Sequence, residues 1–247
     1  MSFTYSVCTT AFRSVSLVDD FVRPFLELGQ NTQIVVVDND SKDGTCERLA
    51  EFGQRIKVIN LRCSRGLGRQ RAMELSDGEI IINVEFDVGY TGIRKAIDYF
   101  EAADKGKIYY FIVNGQKCNA SLYIGRRELF ERIGGFPDLN YAEDLYMNKI
   151  AKKMGLILEV TIDMDINCLE VAGMSSGAEA RYERGKLKQM IRRIIATRDI
   201  LFVNQIGYRE LMIKYKLRGQ KAIYIGIPEY VLGKILSFTI KVPKLDN

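Results

Sequence analysis

The sequence predicts an α/β fold: a mostly parallel sheet flanked by helices, followed by a helical C-terminal extension. Three observations predict it. Apolar runs of strand length alternate with amphipathic runs of helix length through the first third of the chain, and strands that feed helices in this order pair in parallel through right-handed crossovers. The run Ile80-Ile81-Ile82-Asn83-Val84 is almost wholly aliphatic, as a strand covered on both faces must be. That run ends in Glu85-Phe86-Asp87, and open α/β sheets bind ligands at the carboxyl ends of their strands.

Taken in order, Tyr5 to Thr10 is a short β-type run. Asp19-Asp20 begins a helix on which Phe21, Val22, Phe25 and Leu26 recur at helical spacing, and Gly29 closes it. Gln33 to Val37 is a buried strand ending at Asp38-Asn39-Asp40-Ser41. Lys42-Asp43-Gly44 turns into a helix capped by Thr45 and running to about Phe52. Ile56–Asn60 is a third strand, Gly66-Leu67-Gly68 opens a helix through Leu75, and Asp77-Gly78 turns into the Ile80 strand. Beyond it the pattern predicts a helix over 93–103, strands over 108–113 and 120–124, a short helix over 127–133 and a helix from Glu143-Asp144 to Gly155. A strand over 156–162 completes the set. No linker or repeat intervenes. Residues 1–175 are therefore expected to form one domain, whose half 1–90 suits a nucleotide and whose half 91–175 is the acceptor half by family resemblance. Residues 176–247 form a basic, mainly helical extension.

Composition narrows the chemistry. The chain has 247 residues, 47% hydrophobic and 27% charged, ordinary for a globular protein with a substantial core. A net charge of +5 favours anionic ligands or membrane surfaces but carries no nucleic-acid motif. There is no histidine, which removes Ser-His-Asp and Cys-His catalysis and His-ligated metals. Acid–base work falls to carboxylates, Lys, Tyr or Cys. The five cysteines show no C-x-x-C pair, and free thiols in a reducing cytosol are expected, without disulfides. No signal-peptide pattern opens the chain. A redox dinucleotide enzyme is disfavoured because no G-x-G-x-x-G follows the first strand.

On a strand, residues i and i+2 point to one side, so Glu85 and Asp87 are expected to aim at one point. Hard oxygen ligands there suit Mg²⁺ or Mn²⁺ carrying a phosphate. Alone, E-x-D more often marks a strand ending in solvated acids. Asp163-Met164-Asp165 is a second such motif, without a βαβ unit before it. Arg181, Arg184, Lys186, Lys188, Arg192 and Arg193 form a basic helical cluster. It reads as a solvated face, as a source of diphosphate neutralisation by Arg181 or Arg184, or as a contact for anionic lipid. Ala222 to Val242 is apolar but too interrupted for a confident spanning helix, and an interfacial placement is the alternative.

Four elements together resemble family-2 glycosyltransferases of the GT-A fold, over roughly residues 3–175. Val35-Val36-Val37-Asp38-Asn39-Asp40-Ser41-Lys42-Asp43-Gly44-Thr45 resembles the V-D-D-G-S-x-D-G-T element that holds base and ribose. Gly68-Arg69-Gln70 resembles A-R-N, and Asp77-Gly78-Glu79-Ile80 with Glu85-Phe86-Asp87 resembles G-E-Y-I and its D-x-D. Gly134-Gly135-Phe136 with Glu143-Asp144-Leu145 resembles the acceptor-side G-G-F…E-D-x-x-L. Thr9-Thr10-Ala11-Phe12 stands where P-T-Y-N is usual, Asn39 replaces the second Asp of V-D-D, and Glu85 replaces the first Asp of D-x-D.

The resemblance implies transfer of sugar from a nucleotide-sugar donor, UDP- or dTDP-linked in preference to GDP-linked, to a hydroxyl of a glycan or lipid-linked acceptor. The Q-x-x-R-W element of processive synthases is absent, which argues for single-sugar transfer. The implied donor-binding residues are Thr9, Thr10, Phe12, Asp38, Asn39, Asp40, Arg69, Glu85, Arg181 and Arg184, with Asp87 and Glu85 toward Mg²⁺ or Mn²⁺. A carboxylate base is needed on the acceptor side, and Asp144 fits, with Glu143 the alternate. A GT-A-like protein that binds nucleotide-sugar without transfer is the competing reading. The expected location is cytoplasmic, at the inner face of the cell membrane, with no nucleic-acid partner.

Overall fold

The structure, a computed structural model, describes residues 4–113, 120–169, 186–204 and 227–240. Its seven-stranded sheet has the order β3-β2-β1-β4-β7-β6-β8. The strands are β1 (Tyr5–Ala11), β2 (Thr32–Asp38), β3 (Ile56–Asn60), β4 (Ile80–Asn83), β6 (Ile108–Val113), β7 (Leu122–Arg126) and β8 (Ile157–Ile162). β7 alone runs against its neighbours β4 and β6, and the remaining pairs are parallel. A separate ribbon pairs β5 (Val88–Gly89) with β9 (Asn167–Cys168).

Alternate residues of each central strand feed two cores. Val7, Ile34, Val36, Ile80 and Ile82 meet Phe21, Val22 and Phe25 of α1 (Val18–Leu26), Leu49 of α2 (Thr45–Ala50) and Ile97 and Phe100 of α4 (Ile93–Ala102). Cys8, Val35, Val37 and Ile81 meet Ala72 and Met73 of α3 (Arg65–Glu74), Phe130 of α5 (Arg127–Arg132) and Met147 and Ala151 of α6 (Glu143–Lys153). With both faces covered, β2 and β4 have no polar face to show, which is why their sequences do not alternate.

Several sequence expectations are corrected. The strand beginning at Ile80 stops at Asn83, so Glu85 and Asp87 sit on the turn after it rather than on a continuing strand. The Glu85 amide donates to the Tyr90 hydroxyl (3.1 Å), not to a neighbouring strand. Phe86 stacks on Phe21 with ring centres 4.3 Å apart, drawing the chain off the ladder into the core. Thr45 does not cap α2. That position belongs to Gly44, in left-handed conformation, while the Thr45 hydroxyl donates to Asp43 (2.6 Å) and accepts from the Ser14 amide (2.9 Å). α3 starts at Arg65, one residue earlier than expected, because the Ser64 hydroxyl caps it by accepting from the Leu67 amide (3.1 Å).

Cys168 is disulfide-bonded, against the expectation of thiols alone, whereas Cys8, Cys46 and Cys63 are free. Pairing depends on which cysteines meet in space, which spacing along the chain does not report.

At the C-terminal end, α7 (Lys186–Asn204) lies against α6, where Tyr146 stacks on Phe202 (5.6 Å) and Lys149 donates to the Val203 carbonyl (3.0 Å). α8 (Ile227–Ser237) packs on α7. Among the described residues no helix is long and apolar enough to cross a membrane. Arg181, Arg184 and the start of the apolar run from Ala222 lie outside the described residues.

Candidate active site

A cleft of about 190 Å³ opens at the carboxyl ends of β1, β2 and β4. The end of β1 supplies Thr9, Thr10, Ala11 and Phe12, and the end of β2 supplies Asn39. Arg65 and Arg69, four residues apart and so on one face of α3, line it with Glu85, Phe86 and Asp87 from the turn after β4. Asn140, Tyr141 and Ile195 complete the wall. Small residues let α3 come this close. A Cβ at Gly68 would lie 2.6 Å from the Thr10 hydroxyl oxygen, and one at Gly66 would lie 1.9 Å from the Pro137 carbonyl oxygen.

Of the residues singled out in the sequence, Thr9, Thr10, Phe12, Asn39, Arg69, Glu85 and Asp87 are brought together here. Asp38, Asp40, Glu143 and Asp144 are not in the wall, and neither are Asp163 and Asp165, which are exposed. Asp38 is fully buried beneath Asn39, and its Oδ2 accepts from the Ser41 amide (2.8 Å). Burial raises its pKa, partly countered by Ser41. Its Oδ1 has no hydrogen-bond partner among the described residues. Asn39 uses its side-chain oxygen to accept from the Cys63 amide (2.9 Å). Asp40, at φ +52°, pairs with Lys42 on the surface (2.5 Å). The Thr9 hydroxyl donates to the Val84 carbonyl (2.8 Å), tying β1 to the start of the acidic turn. The Arg13 guanidinium lies 5.2 Å from the centre of the Phe12 ring.

Arg69 is the electrostatic centre. Its side chain is 1% exposed, forms an ion pair with Glu85, and places Nε 3.7 Å from Oε1 of Glu143, itself 2% exposed. Phe136 covers it at 5.4 Å. Burial disfavours the Arg69 charge, but Glu85 and Glu143 more than offset this and keep the guanidinium ionised. Burial pushes against the Glu85 charge as well, and Arg69 and Arg65 reverse that, holding its pKa below the usual carboxylate value. For Glu143 burial wins over Arg69 and Arg65, and its pKa rises to about 7. Arg69 Nη1 and Glu143 Oε2 have no hydrogen-bond partner among the described residues.

Asp144 begins α6 behind this cluster. Its Oδ1 accepts from the Leu145 amide (2.8 Å), and its Oδ2 accepts from the Ser121 hydroxyl (3.3 Å). The Tyr90 hydroxyl accepts from the Glu85 amide (3.1 Å) and donates to the Ser121 carbonyl (3.4 Å), so Tyr90 and Ser121 together link the acidic turn to the head of α6. Sequence reasoning missed Arg65, Asn140, Tyr141, Ile195 and Ser121. Only Arg65 carried a local signal, as the residue one turn before Arg69.

Among the described residues no three carboxylate or thiol groups converge as a metal cage. Asp87 lines the cleft with Glu85 beside it. Magnesium-type ions are held by one or two carboxylates plus substrate phosphates, and the donor set here fits that arrangement rather than an all-protein site.

The family model described as Glycosyl transferase family 2 matches residues 6–156. No curated protein sequence matches the chain. Among solved structures, S. aureus TarS 1–349 in complex with UDP-GlcNAc is similar at 14% identity, over 94% of this chain and 79% of that one, with TM-score 0.58. The mannosyltransferase PcManGT from Pyrobaculum calidifontis, in complex with GDP-Man and Mn²⁺, is similar at 18% identity over 98% and 77%, with TM-score 0.56. Glucosyl-3-phosphoglycerate synthase from Mycobacterium tuberculosis, in complex with Mn²⁺, UDP and glucosyl-3-phosphoglycerate, is similar at 14% identity over 83% and 81%, with TM-score 0.58. At these identities the likeness shows the shared GT-A fold.

Proposed function

The chain belongs to glycosyl transferase family 2, and from that premise we propose that it moves a single sugar from a nucleotide-diphosphate donor to an acceptor hydroxyl with inversion. The observation that carries this reading is the cleft itself. It gathers the ends of β1 and β2, two arginines of α3 and the Glu85–Asp87 turn, with the Asp144 carboxylate tied to that turn through Ser121 and Tyr90.

The donor's base lies between the Phe12 ring and Asn39. A UDP- or dTDP-sugar is the favoured donor, since Asn39 offers an acceptor and a donor of matching size to a pyrimidine edge. The diphosphate lies against Arg65, with the buried charge of Arg69 behind it, and Arg181 and Arg184, outside the described residues, are the further candidate cations. Asp87, with Glu85, would hold Mg²⁺ or Mn²⁺, which takes up charge on the diphosphate as the sugar bond breaks. Mn²⁺ accompanies the nucleotide in two of the similar structures, which supports this choice. Asp144 takes the proton from the acceptor hydroxyl. The hydroxyl oxygen bonds to the anomeric carbon as the carbon–phosphate oxygen bond breaks, and the nucleoside diphosphate leaves with that electron pair. Attack from the face opposite the leaving group inverts the anomeric centre.

Ile227, Val231 and Ile235 are exposed along one side of α8, and Phe238 is exposed just beyond its end. With the basic run 181–193, they favour a membrane surface and a lipid-linked acceptor. Thermal-shift screening with UDP-, dTDP- and GDP-sugars plus Mn²⁺, followed by product detection, tests the proposal. A UDP or dTDP donor stabilises the protein and is turned over. Binding without turnover on any glycan or lipid acceptor would support the non-catalytic reading instead, and tighter binding of GDP-sugar would overturn the base assignment.

A further inference from the structure

One residue outside the matched family region reaches into the cleft. Among the described residues, Ile195 of α7 is the only lining residue beyond residue 156. One turn along the same helix, Asp199 is fully buried. Its Oδ2 accepts from two successive backbone amides, Asn140 (2.8 Å) and Tyr141 (3.0 Å), while its Oδ1 pairs with Arg198 (2.6 Å). Asn140 and Tyr141 themselves line the cleft. The next residue, Ala142, sits in the left-handed region at φ +60° as the cap of α6, and Glu143 and Asp144 follow at once. A non-glycine residue holds that conformation only when its surroundings impose it, and no side chain caps α6. The carboxylate of Asp199 is what fixes the two amides immediately before the strained position.

The helix carrying Asp199 is itself held in place. A Cβ at Gly233 of α8 would lie 2.5 Å from Cγ2 of Thr197, so only glycine lets α8 press this closely on α7. The line of contact thus runs from α8 through α7 and Asp199 to the loop that launches the proposed base.

We propose that Asp199 is a positioning residue for sugar transfer, fixing the Asn140–Tyr141 loop and through it the Asp144 carboxylate, so that the C-terminal helices are part of the catalytic apparatus. This rests on the glycosyl-transfer reading. A buried charge-assisted acceptor shared by two amides is a strong tie. A reactive group displaced by about 1 Å loses rate by on the order of 10²-fold without any change in donor contacts.

The test compares wild type with Asp199→Ala and the milder Asp199→Asn, which keeps the shape but loses the charge. Three readouts are taken: turnover of the donor found in the screen, affinity for UDP with Mn²⁺ by calorimetry, and hydrogen exchange of the Asn140 and Tyr141 amides. In Asp199→Ala, exchange at those amides should speed by about 10- to 100-fold, from loss of hydrogen bonds to a charged group. The kcat should fall by roughly 10²-fold, and UDP affinity should stay within about 2-fold of wild type. Asp199→Asn should move amide exchange and kcat the same way by a smaller factor, and it carries the test if the alanine variant does not fold. A merely structural residue would lower stability and UDP binding together or leave kcat unchanged, and either pattern in the folded variants overturns the proposal. A wild-type protein that turns over no donor would overturn the transfer reading itself, a separate outcome.

Discussion

The Arg69 guanidinium on α3 lies 3.7 Å from the Glu143 carboxylate at the head of α6, with both side chains sealed from solvent. Arg69 also pairs with Glu85 in the turn after β4. One buried cation therefore ties α3 and the turn after β4 to the helix that starts at Glu143-Asp144. Two carboxylates against one buried guanidinium leave an excess negative charge. Arg65, 3.8 Å from Glu143, and the protonation of Glu143 are the two ways the cluster offsets it.

Arg69→Met should destabilise the fold by about 3–5 kcal/mol, because it strands two carboxylates in a low-dielectric setting. Urea denaturation measures this. Adding Glu143→Gln to the Met variant should recover part of the loss, since one stranded charge disappears and the two sites are coupled. Strict additivity of the two single changes would show that the pair does not interact.

What the sequence made legible follows physical range. Elements whose residues are buried on both faces, such as β2 and β4, announce themselves through unbroken aliphatic runs, and the carboxyl ends of those strands located the cleft. The Glu85–Asp87 turn was read as a strand because period-2 logic continues until something interrupts it. The interruption is Phe86 reaching Phe21, some sixty-five residues away in sequence. Arg69 drew attention through its motif, but its role as a buried hub depends on Glu143 and Phe136, from another part of the chain. Asp199 had no local signal. It looks like any acid on a basic helix until the fold sets it under the Asn140 and Tyr141 amides.

Glu143 should give the fold a pH dependence of its own. Its folded-state pKa is about 7 against an ordinary 4.5, raised chiefly by burial. Between those values the folded protein holds more protons than the unfolded chain. This group's contribution to stability is therefore greatest below about pH 4.5 and falls as pH rises through that window to about 7. Above it the contribution is constant. Unfolding free energies of wild type and Glu143→Gln, measured from pH 4.5 to 8, should differ by an amount that changes across the window. A difference that stays flat would show that Glu143 titrates normally.

Asp87→Ala should remove the Mn²⁺-dependent part of UDP binding with little effect on melting temperature. The Asp87 carbonyl still accepts from the Leu169 amide (2.9 Å), so the backbone contact that links the turn to β9 survives the change. Calorimetric titration of UDP with and without Mn²⁺ reads the metal-dependent increment. Full transfer activity in EDTA would sink the assignment of a divalent ion to this turn.

The base assignment separates Asp144 from its neighbour. Neither acid lines the cleft, but Glu143 is sealed off against Arg69 and Arg65. Asp144 is half-buried at the first turn of α6, where the helix N-terminus favours a negative charge. The Ser121 hydroxyl holds one of its oxygens, and the Ser121 carbonyl is tied through the Tyr90 hydroxyl to the Glu85 amide, which keeps the carboxylate near the acidic turn. With no histidine in the chain, a carboxylate in this place is the group able to accept the acceptor's proton. Asp144→Asn preserves the shape and the Ser121 contact but cannot take up a proton. It should lower kcat by about 10²–10⁴-fold, the range for loss of a general base, with the affinity for UDP and Mn²⁺ nearly unchanged. Glu143→Gln should cost far less, because its carboxylate holds Arg69 rather than meeting substrate. If Glu143→Gln abolished turnover while Asp144→Asn kept it, the two roles would be exchanged. If both variants kept wild-type turnover, neither acid would be the base.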